Sequence, residues 1–449
     1  MKKVITYGTY DYLHRGHIRL LERARALGDY LVVGVTAADF DKVRGKINVG
    51  QSLMDRVENV RKTGLADEII IEEYEGQKID DIKRLGIDVF TVGSDWVGYF
   101  DYLKEYCDVV YLERTQGISS TEIRAEKGFL RLGVFGSTPM AAKVMDESKF
   151  VNGLQLACVR TDSTEMEEAA RARGIEVAQS YEDLLLKVDA IYLASHMGLH
   201  EEHIRRAIEA GVHVLCESPV AETVEGFDKL QELAADRGLV LAEGIKTAYA
   251  TAYHRLKLLV KSGRIGTVVG VDATATSLRD YSSLLAGEKQ EVPPTGSFGE
   301  WGPTVLLPAF QLLGTDYTDV RTIVRWVDED KTIDGYVRMT LTYPHAVATL
   351  TTGSTAKAEG SLVITGTKGY VYVPAPWWKT DYFELRFENP ANNKRYFYQL
   401  DGEGIRNELL CFMRAIENDE PMIYLERETS RAIARISEML RNPERVTCI

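Results

Sequence analysis

The sequence predicts an α/β protein in which two successive Rossmann-like units precede an α+β domain built on a largely antiparallel sheet. Three observations support this. Short apolar runs alternate with helical patterns from residue 4, the alternation begins again after Lys127, and strand-like segments dominate after about Ile265. The length of 449 residues also exceeds one ordinary core. We therefore expect domains at residues 1–127, 131–250 and 251–449.

Five short apolar runs are the expected strands of the first unit. They are Val4–Tyr7, Tyr30–Val35, Glu68–Ile71, Val89–Val92 and Val109–Leu112. Helical patterns lie between them at residues 18–26, 55–63 and 79–85. Strand–helix alternation of this kind favours a parallel, doubly wound sheet. Ser119 and Glu122 fit a capping box, which predicts a further helix beginning there.

The second unit repeats this alternation, and the third does not. Expected strands of the second are Leu132–Phe135, Gln155–Val159, Ala190–Ala194, His213–Cys216 and Val240–Glu243. Those of the third are Thr267–Thr276, Val320–Val327, Gly335–Tyr343, Ala346–Gly353, Ser361–Thr365, Tyr370–Pro374, Tyr382–Glu388 and Arg395–Leu400, before an amphipathic helix Ile405–Ile416. Turns at residues 343–345 and 366–369 predict hairpins. Residues 353–367 are expected on an open sheet face that pairs subunits, so a homo-oligomer (dimer or tetramer) is expected.

Composition excludes several classes of protein. The net charge is −13 without a basic block, which argues against nucleic acid as a partner and requires a local cationic pocket for any anionic substrate. The five cysteines are scattered without a CxxC, so a disulfide framework or a zinc site is not expected. We find no signal-peptide core and no apolar run of the ~18–20 residues that span a bilayer. A cytoplasmic protein without a membrane partner is expected.

The most informative motif is GTYDYLHRGH, which follows the first strand directly at residues 8–17. His14 and His17 lie one turn apart at the start of a helix and share a face. Free N–H groups and the positive end of the helix dipole attract anions there. Both imidazoles can donate to phosphate oxygens, and Gly16 lets a phosphate approach the backbone. The motif therefore predicts a phosphate-binding site rather than one surface and one structural histidine.

Residues 1–127 resemble the glycerol-3-phosphate cytidylyltransferase family. The resemblance rests on MKKVITYGTYDYLHRGHIRLLERARALGDYLVVGV at the start, VGSDWVGYFDYL at 92–103 and VVYLERTQGISSTEIR at 109–124. It implies a Rossmann-like nucleotidyltransferase domain that binds CTP and a polyol phosphate and forms a CDP-polyol and pyrophosphate, with Mg²⁺ as cofactor. Such a transfer needs alignment at the α-phosphate and neutralisation of growing charge, and no covalent enzyme group.

The resemblance implies a role for each residue that matches its motifs. His14 and His17 neutralise charge at the α- and β-phosphates, and Arg114 holds the β- and γ-phosphates. Lys46 closes over the reacting groups, unless it is a solvated loop lysine. The remaining nucleotide-binding residues are Gly8, Thr9, Tyr10, Asp11, Gly16, Asp95, Trp96, Thr115, Ile118, Ser119, Ser120 and Thr121.

Several of these residues have alternatives. Asp11 either holds the turn or helps to place Mg²⁺. On physical grounds alone, Trp96 is better explained as a core residue. Arg56 either contacts the acceptor phosphate or lies on a helix surface. The family carries an arginine where this chain has Gly64, and Arg61 is expected to substitute unless acceptor recognition has changed.

Residues 131–449 resemble the Gfo/Idh/MocA oxidoreductases. The segments are LGVFGSTPMAAKV, AIYLASHMGLHEEHIRRAIEAGVHVLCESPVAETVEGF, AYHRLKLLVKSGRIGTVVGV and VITGTKGYVYVP. The resemblance implies a Rossmann dinucleotide-type domain and hydride transfer between NADP or NAD and a sugar or polyol carbon. The expected cofactor-binding residues are Gly136, Ser137, Thr138, Met140, Ala141, Arg160, Ser195, His196, His200, Glu217, Ser218 and Pro219.

Three departures from the family fall at the chemistry. Thr138 replaces the middle glycine of the glycine-rich loop and crowds the approach to a pyrophosphate. Ser218 stands where the family has the lysine of Glu-Lys-Pro. In the segment from Glu300 to Thr304, which we expect to contact substrate, the family's histidine is absent.

Carbonyl reduction needs a proton donor. Ser218 and Thr304 are poor donors, so Lys246, after a sheet strand, is the expected catalytic residue unless it is a solvated lysine. His196 and His200 are further candidates, although His200 is better explained as a structural residue at a helix start. Arg160 favours the 2′-phosphate of NADP, whereas Asp162 would suit the ribose of NAD.

The order of the two activities stays open at this point. The second half could reduce a keto-sugar phosphate to the polyol phosphate that the first half then attaches to CMP. It could instead act on the CDP-linked product. The three departures also permit a scaffold without redox activity, used for binding or dimer formation.

Overall fold

The structure is a computed structural model that describes residues 1–11, 13, 15–37, 53–72, 76–113, 129–285, 295–398, 400–418, 422, 424–442 and 446–449. It contains two compact units: Met1–Phe129 with Val151–Gly153, and Leu130–Phe150 with Leu154–Ile449. The predicted fold class is confirmed, because two parallel sheets are followed by a mixed, mostly antiparallel one. A further boundary near residue 250 stays a prediction.

The first unit is a five-stranded parallel sheet in the order β3-β2-β1-β4-β5. Its strands are β1 Lys3–Gly8, β2 Tyr30–Thr36, β3 Glu68–Glu72, β4 Val89–Gly93 and β5 Asp108–Leu112. Its helices are Arg15–Arg25, Leu53–Lys62 and Gln77–Leu85, with 3₁₀ turns at Ser94–Trp96 and Asp101–Glu105. Each predicted strand is confirmed to within one residue at either end. The helix predicted at Ser119 lies outside the described residues.

The three inner strands of the first unit, β1, β2 and β4, are buried on both faces, which is why they read as continuous apolar runs. Successive residues point to opposite faces, so Val4 packs with Leu21 and Val33 on one side. Ile5 packs with Phe90 on the other side. The strand order reverses beside β1, and this places the crevice for a ligand at the carboxyl ends of β1 and β4.

The second unit begins with a six-stranded parallel sheet in the order β11-β10-β9-β6-β7-β8. Its strands are β6 Leu130–Gly136, β7 Leu154–Arg160, β8 Glu176–Val177, β9 Ala190–Ala194, β10 His213–Glu217 and β11 Leu241–Gly244. Its helices are Pro139–Glu147, Thr164–Ala172, Tyr181–Leu185, His200–Glu209 and Val224–Asp236, with 3₁₀ turns at Ser148–Phe150 and Met197–Leu199. The five predicted strands are confirmed, and the two-residue β8 was not predicted.

The rest of the second unit is a nine-stranded sheet in the order β19-β18-β17-β16-β12-β15-β14-β13-β20. The strands are β12 Val268–Thr276, β13 Asp319–Trp326, β14 Asp334–Thr342, β15 Val347–Gly353, β16 Leu362–Gly366, β17 Gly369–Val373, β18 Tyr382–Phe387, β19 Lys394–Phe397 and β20 Thr447–Cys448. The helices are Lys246–Tyr249, Thr251–Lys261, Ser282–Leu285, Ser297–Leu313, Ile405–Asn418 and Arg427–Leu440, with 3₁₀ turns at Pro390–Asn392 and Asp401–Gly404. Both predicted hairpins are present, since β14 pairs antiparallel with β15 and β16 with β17.

Two pairs in this sheet are parallel: β12 with β15 and β13 with β20. The short β20 was not predicted, because two residues carry no periodic signal. The five cysteines are free thiols. Among the described residues, no helix combines the length and the apolar character that crossing a membrane requires. The oligomer expected from residues 353–367 stays a prediction.

Candidate functional site

The first candidate site lies where β1 and β4 end. Gly8 ends β1, and Thr9 to Asp11 follow it before the helix Arg15–Arg25, which carries Gly16 and His17. Trp96 lies in the turn after β4. Because β1 and β4 are parallel neighbours, these residues share one edge of the sheet. Other expected nucleotide-site residues lie outside the described part of the chain: His14, Lys46, Arg114, Thr115, Ile118, Ser119, Ser120, Thr121 and the side chain of Asp95.

The Tyr10 ring packs against the His17 ring. The Tyr10 backbone has a φ of 52°, in the left-handed region, and its side chain is fully buried. The centres of the Tyr10 and His17 rings are 5.5 Å apart in an edge-on arrangement. A Cβ at Gly8 would lie 3.0 Å from the Tyr10 ring, so a larger residue there would require the ring to shift. A strained residue beside the predicted phosphate site is typical of functional loops.

Arg56 is fully buried, so the helix-surface alternative is wrong. Its guanidinium donates to the carbonyl oxygen of Thr9 at 2.7 Å and to that of Thr36 at 2.8 Å. Arg56 therefore ties the loop after β1 to the end of β2. The guanidinium can be buried because these two carbonyl groups, at the carboxyl ends of strands, accept its hydrogen bonds in place of water. A contact with the acceptor phosphate stays a prediction.

A buried polar network at the same edge was not predicted from the sequence. Glu72 ends β3 and pairs with Lys78, and Thr36 donates to the Glu72 carboxylate at 2.8 Å. The Lys78 ammonium lies 4.5 Å from the centre of the Tyr7 ring, whose hydroxyl donates to Asp81 at 2.9 Å. Burial raises the pKa of the Tyr7 hydroxyl. Buried charges are costly and mark functional sites, and a charged strand end followed by a lysine in the next helix was the available signal.

Trp96 and Arg61 are both more exposed than the residues of the buried network. Trp96 is half-buried and packs on Phe100, with ring centres 5.7 Å apart, so it lies at the margin of the core. Arg61 is 62% exposed and pairs with Glu58 at 2.7 Å. Gly64 has a φ of 66°, which an arginine would adopt only with strain. The departure from the family at this position thus has a backbone reason.

The second candidate site begins at the loop after β6. Gly136 has a φ of 129°, and a Cβ there would lie 2.0 Å from the carbonyl oxygen of Ala194. Only glycine fits this turn. The main chain therefore approaches the neighbouring strand as a dinucleotide loop requires.

Thr138 occupies the next loop position without strain, since its φ of −73° is open to any residue. Its hydroxyl accepts from the N–H of Ala141 at 3.1 Å and donates to Glu217 at 2.7 Å. Pro139 has no N–H. The start of this helix consequently offers fewer N–H groups to a pyrophosphate than a GxGxxG loop does.

The end of β7 suits the adenosine half of a dinucleotide. Ser137 lies 3.1 Å from Thr161 between their hydroxyl oxygens and accepts from the N–H of Asp162 at 3.0 Å. Arg160 pairs with Asp162 at 2.7 Å. Both candidate groups for a 2′-phosphate or a ribose thus lie together, and the choice between NADP and NAD stays open. These residues and Gly136 fit a dinucleotide.

Two buried carboxyl groups lie behind the loop. Burial raises the pKa of Glu217 to about 7, although the hydrogen bond from Thr138 opposes the shift. Ser218 donates to Glu243, which is 5% exposed and whose pKa is also raised by burial. Ser218 is therefore occupied by a carboxyl partner. Glu217, at the carboxyl end of β10, is thus a candidate proton donor, whereas the sequence predicted only cofactor binding for it.

Lys246 is not a solvated lysine. Its side chain is 13% exposed, it pairs with Glu403, and burial lowers its pKa. His200 matches its structural alternative, because it is 2% exposed and its ring nitrogens lie 2.8 Å from the carbonyl oxygens of Pro219 and Ser195. The geometry therefore disfavours His200 as a proton donor.

The remaining candidates lie at loop and helix positions. His196 accepts from the N–H of Gly198 at 3.3 Å and so caps a 3₁₀ turn. Glu300 pairs with Arg279, and Thr304 is half-buried one turn later on the helix Ser297–Leu313. Substrate roles for Glu300 and Thr304 stay predictions.

The two folds and their loops are those of a nucleotidyltransferase domain joined to a dinucleotide-binding domain of the oxidoreductase type, and comparison with known proteins agrees. Residues 5–126 match the cytidylyltransferase-like family. Residues 130–245 match the oxidoreductase family with an NAD-binding Rossmann fold, and residues 253–372 match the GFO/IDH/MocA C-terminal domain. The chain belongs to the glycerol-3-phosphate cytidylyltransferase family through its first unit and to the Gfo/Idh/MocA oxidoreductases through its second.

Individual relatives differ in how much of them the chain covers. It is 48% identical over 130 residues to the glycerol-3-phosphate cytidylyltransferase of Bacillus spizizenii, which is 29% of this chain and 100% of that protein. The Bacillus subtilis enzyme of the same name is 51% identical over 126 residues, 28% of this chain and 97% of the relative. A dTDP-3,4-didehydro-2,6-dideoxy-alpha-D-glucose 3-reductase of Streptomyces violaceoruber is 33% identical over 151 residues, 33% of this chain but only 44% of the relative.

A solved structure shows the fold of the second unit. It is a 3-ketoreductase from Actinomadura kijaniata in complex with NADP and TDP-benzene, with a TM-score of 0.62 and 19% identity. The match covers 72% of this chain and 99% of that one.

Proposed function

We propose that the first unit transfers the cytidylyl group of CTP to glycerol 3-phosphate, giving CDP-glycerol and pyrophosphate. The observation that carries this is the placement of Thr9, Tyr10 and His17 at the edge of the sheet where β1 and β4 end. These residues belong to a segment that is similar over the whole length of a glycerol-3-phosphate cytidylyltransferase. A phosphate oxygen of the acceptor forms a bond to the α-phosphorus, and the bond to the bridging oxygen of pyrophosphate breaks. No proton is required.

The residues of the chain position the triphosphate and neutralise the negative charge on its oxygens. His14 and His17 donate to the phosphate oxygens while charge builds on them, and Tyr10 orients the His17 ring. Arg56 fixes the loop whose main chain receives the triphosphate. No group of three or more His, Cys, Asp or Glu side chains within the described ranges could hold a metal ion. Mg²⁺ would therefore be held chiefly by phosphate oxygens, as is usual for nucleotide-bound Mg²⁺, with Asp11 as a nearby carboxylate.

The test is pyrophosphate release by the full chain with CTP, Mg²⁺ and a set of polyol phosphates. Glycerol 3-phosphate should be the preferred acceptor. His17→Asn should lower the rate by about 10²–10³-fold, the range for loss of one charge-stabilising donor. His345→Asn, at an exposed turn of the second unit, is the matched control and should leave the rate unchanged. Full activity in His17→Asn would refute the proposed role.

We propose further that the second unit binds NADP or NAD and reduces the carbonyl of a sugar phosphate to a polyol phosphate, which the first unit then uses as its acceptor. The product CDP-polyol would supply a cell-wall or capsule polymer. Gly136, Ser137 and Arg160 support dinucleotide binding. The dinucleotide would supply hydride, while Glu217 or Lys246 would supply the proton.

A scaffold without redox activity is the second candidate, favoured by Thr138, which takes up an N–H of the loop helix. A thermal-shift titration of the full chain with NADPH and NADH separates the two. A clear shift followed by NADPH oxidation with ketose phosphates supports the reductase, and comparison with CDP-linked ketoses fixes the order of the steps. No shift with either dinucleotide supports the scaffold.

A further inference from the structure

Three lysines from separate elements of the second unit converge on one carboxylate. Lys143 lies on the helix Pro139–Glu147, Lys246 follows β11, and Lys379 lies between β17 and β18. The Lys143 ammonium is 2.7 Å from Glu403, the Lys379 ammonium is 2.8 Å from it, and Lys246 completes the set. We call these four residues the lysine cluster.

The lysine cluster carries two positive charges in excess. Among the described carboxyl groups nearby, Glu147 is engaged by Arg406. Glu408 is 1% exposed, and burial raises its pKa to about 8, so it is mostly neutral at pH 7. Lys246 and Glu403 are only 13% and 20% exposed, so water screens their charges weakly. Lys143 and Lys379 are each 39% exposed, so the cluster is open to a ligand on their side. A ligand with about two negative charges would neutralise the cluster.

The backbone conformation at Glu403 shows that the surrounding structure holds its carboxylate against the lysines. Glu403 has a φ of 51°, between Gly402 at 62° and Gly404 at 95°. A non-glycine residue in this region is strained and persists only where its surroundings hold it. A Cβ at Gly404 would lie 2.1 Å from the carbonyl oxygen of Lys246. The turn is thus pressed against Lys246, and this places the Glu403 carboxylate among the three ammonium groups.

The lysine cluster lies at the ligand-binding edge of the parallel sheet. Lys246 directly follows β11 on its carboxyl side, where α/β sheets bind ligands. Lys379 is tied to the same edge, because Thr247 donates to the carbonyl oxygen of Trp378 at 3.0 Å. The Trp378 ring packs on Trp301, with centres 4.6 Å apart, on the helix that carries the expected substrate residues.

We propose that Lys143, Lys246 and Lys379 bind the phosphoryl group of a sugar phosphate or polyol phosphate, and that Glu403 is the internal anion that holds them together when no ligand is bound. Three compact ammonium groups match a phosphate dianion in charge and in hydrogen-bond donors. This deepens the proposed oxidoreductase function by giving its phosphorylated substrate a binding site, which leaves Glu217 rather than Lys246 to supply the proton. It rests on that function only in calling the ligand a substrate.

The first test is the affinity of the full chain for inorganic phosphate, measured by calorimetry at constant ionic strength. The double variant Lys143→Met/Lys379→Met should raise the dissociation constant at least tenfold. Lys229→Met is the matched control, since Lys229 is an exposed lysine paired with Glu225 in the same unit, and it should change nothing. All these substitutions lie in the second unit, so any binding of phosphate by the first unit contributes equally to every measurement.

The second test is Glu403→Gln, which removes the competing carboxylate. It should bind phosphate several-fold more tightly, a change that a misfolded protein cannot produce. Absence of phosphate binding in the wild type, or the same affinity in all variants, would overturn the site. NADPH binding is measured separately, so phosphate binding through the lysines without NADPH binding would uphold the site and remove only the redox function.

Discussion

Arg56→Met gives a decisive test of how the first unit is built. The substitution keeps the side-chain length but removes donation to two carbonyl oxygens, at 2.7 Å to Thr9 and at 2.8 Å to Thr36. Hydrogen bonds from a charged group contribute about 1.5–3 kcal/mol each, and orphaned buried acceptors add a penalty. Removal of a buried charge offsets part of this loss. We expect the free energy of unfolding to fall by about 3 kcal/mol.

Calorimetry of the full chain measures this loss as a Tm lowered by about 10 °C for the transition of the first unit. Lys62→Met, at an exposed position on the same helix, should shift stability by less than about 0.5 kcal/mol. Because the freed loop carries Thr9, kcat for pyrophosphate release should fall about 10²-fold, as expected when a reacting group moves by about 1 Å.

A different outcome would refute this reasoning. If Arg56→Met keeps the wild-type Tm and kcat while the KM for glycerol 3-phosphate rises, Arg56 contacts the acceptor rather than the loop. Arg56→Lys sharpens the distinction. Lysine keeps the charge for a phosphate but cannot span two carbonyls with one planar group.

Three further outcomes are expected in the second unit. Gly136→Ala should abolish the thermal shift with NADPH and should lower the free energy of unfolding by more than about 3 kcal/mol, because backbone strain adds to the 2.0 Å approach to a carbonyl oxygen. The control is Gly174→Ala, which has a φ of 70° and nothing within 4 Å of its Cβ, and it should cost only about 1 kcal/mol. Burial raises the pKa of Glu408 from 4.5 to about 8, so its folded form retains a proton that the unfolded chain releases, and stability should fall as pH rises between those values; Glu408→Gln should flatten that part of a denaturation profile, and an unchanged slope would contradict the assignment. Thr138→Ala removes a helix cap and the partner of Glu217, and should lower stability by about 1 kcal/mol in chemical denaturation; equal stability would show that the cap contributes nothing.

Local sequence patterns were enough to predict most of the strands of this protein and one of its loops. Strands such as Val4–Tyr7 were placed to within a residue because an apolar run between turn residues is a local signal. Gly136 was assigned to a phosphate loop because its position after a strand is also local. Long-range partners were not predictable: Lys246 reaches Glu403 across 157 residues and Lys143 reaches it across 260. In the sequence these are ordinary charged residues.

The sequence by itself determined that two Rossmann-like units follow one another and that a histidine pair opens the first, since backbone preferences and hydrophobic periodicity act over a few residues. Only the tertiary structure decided that Arg56 is buried and that Lys246 is paired. Whether a charge meets water or another charge depends on which distant elements pack around it, and that packing leaves no trace in the neighbouring residues.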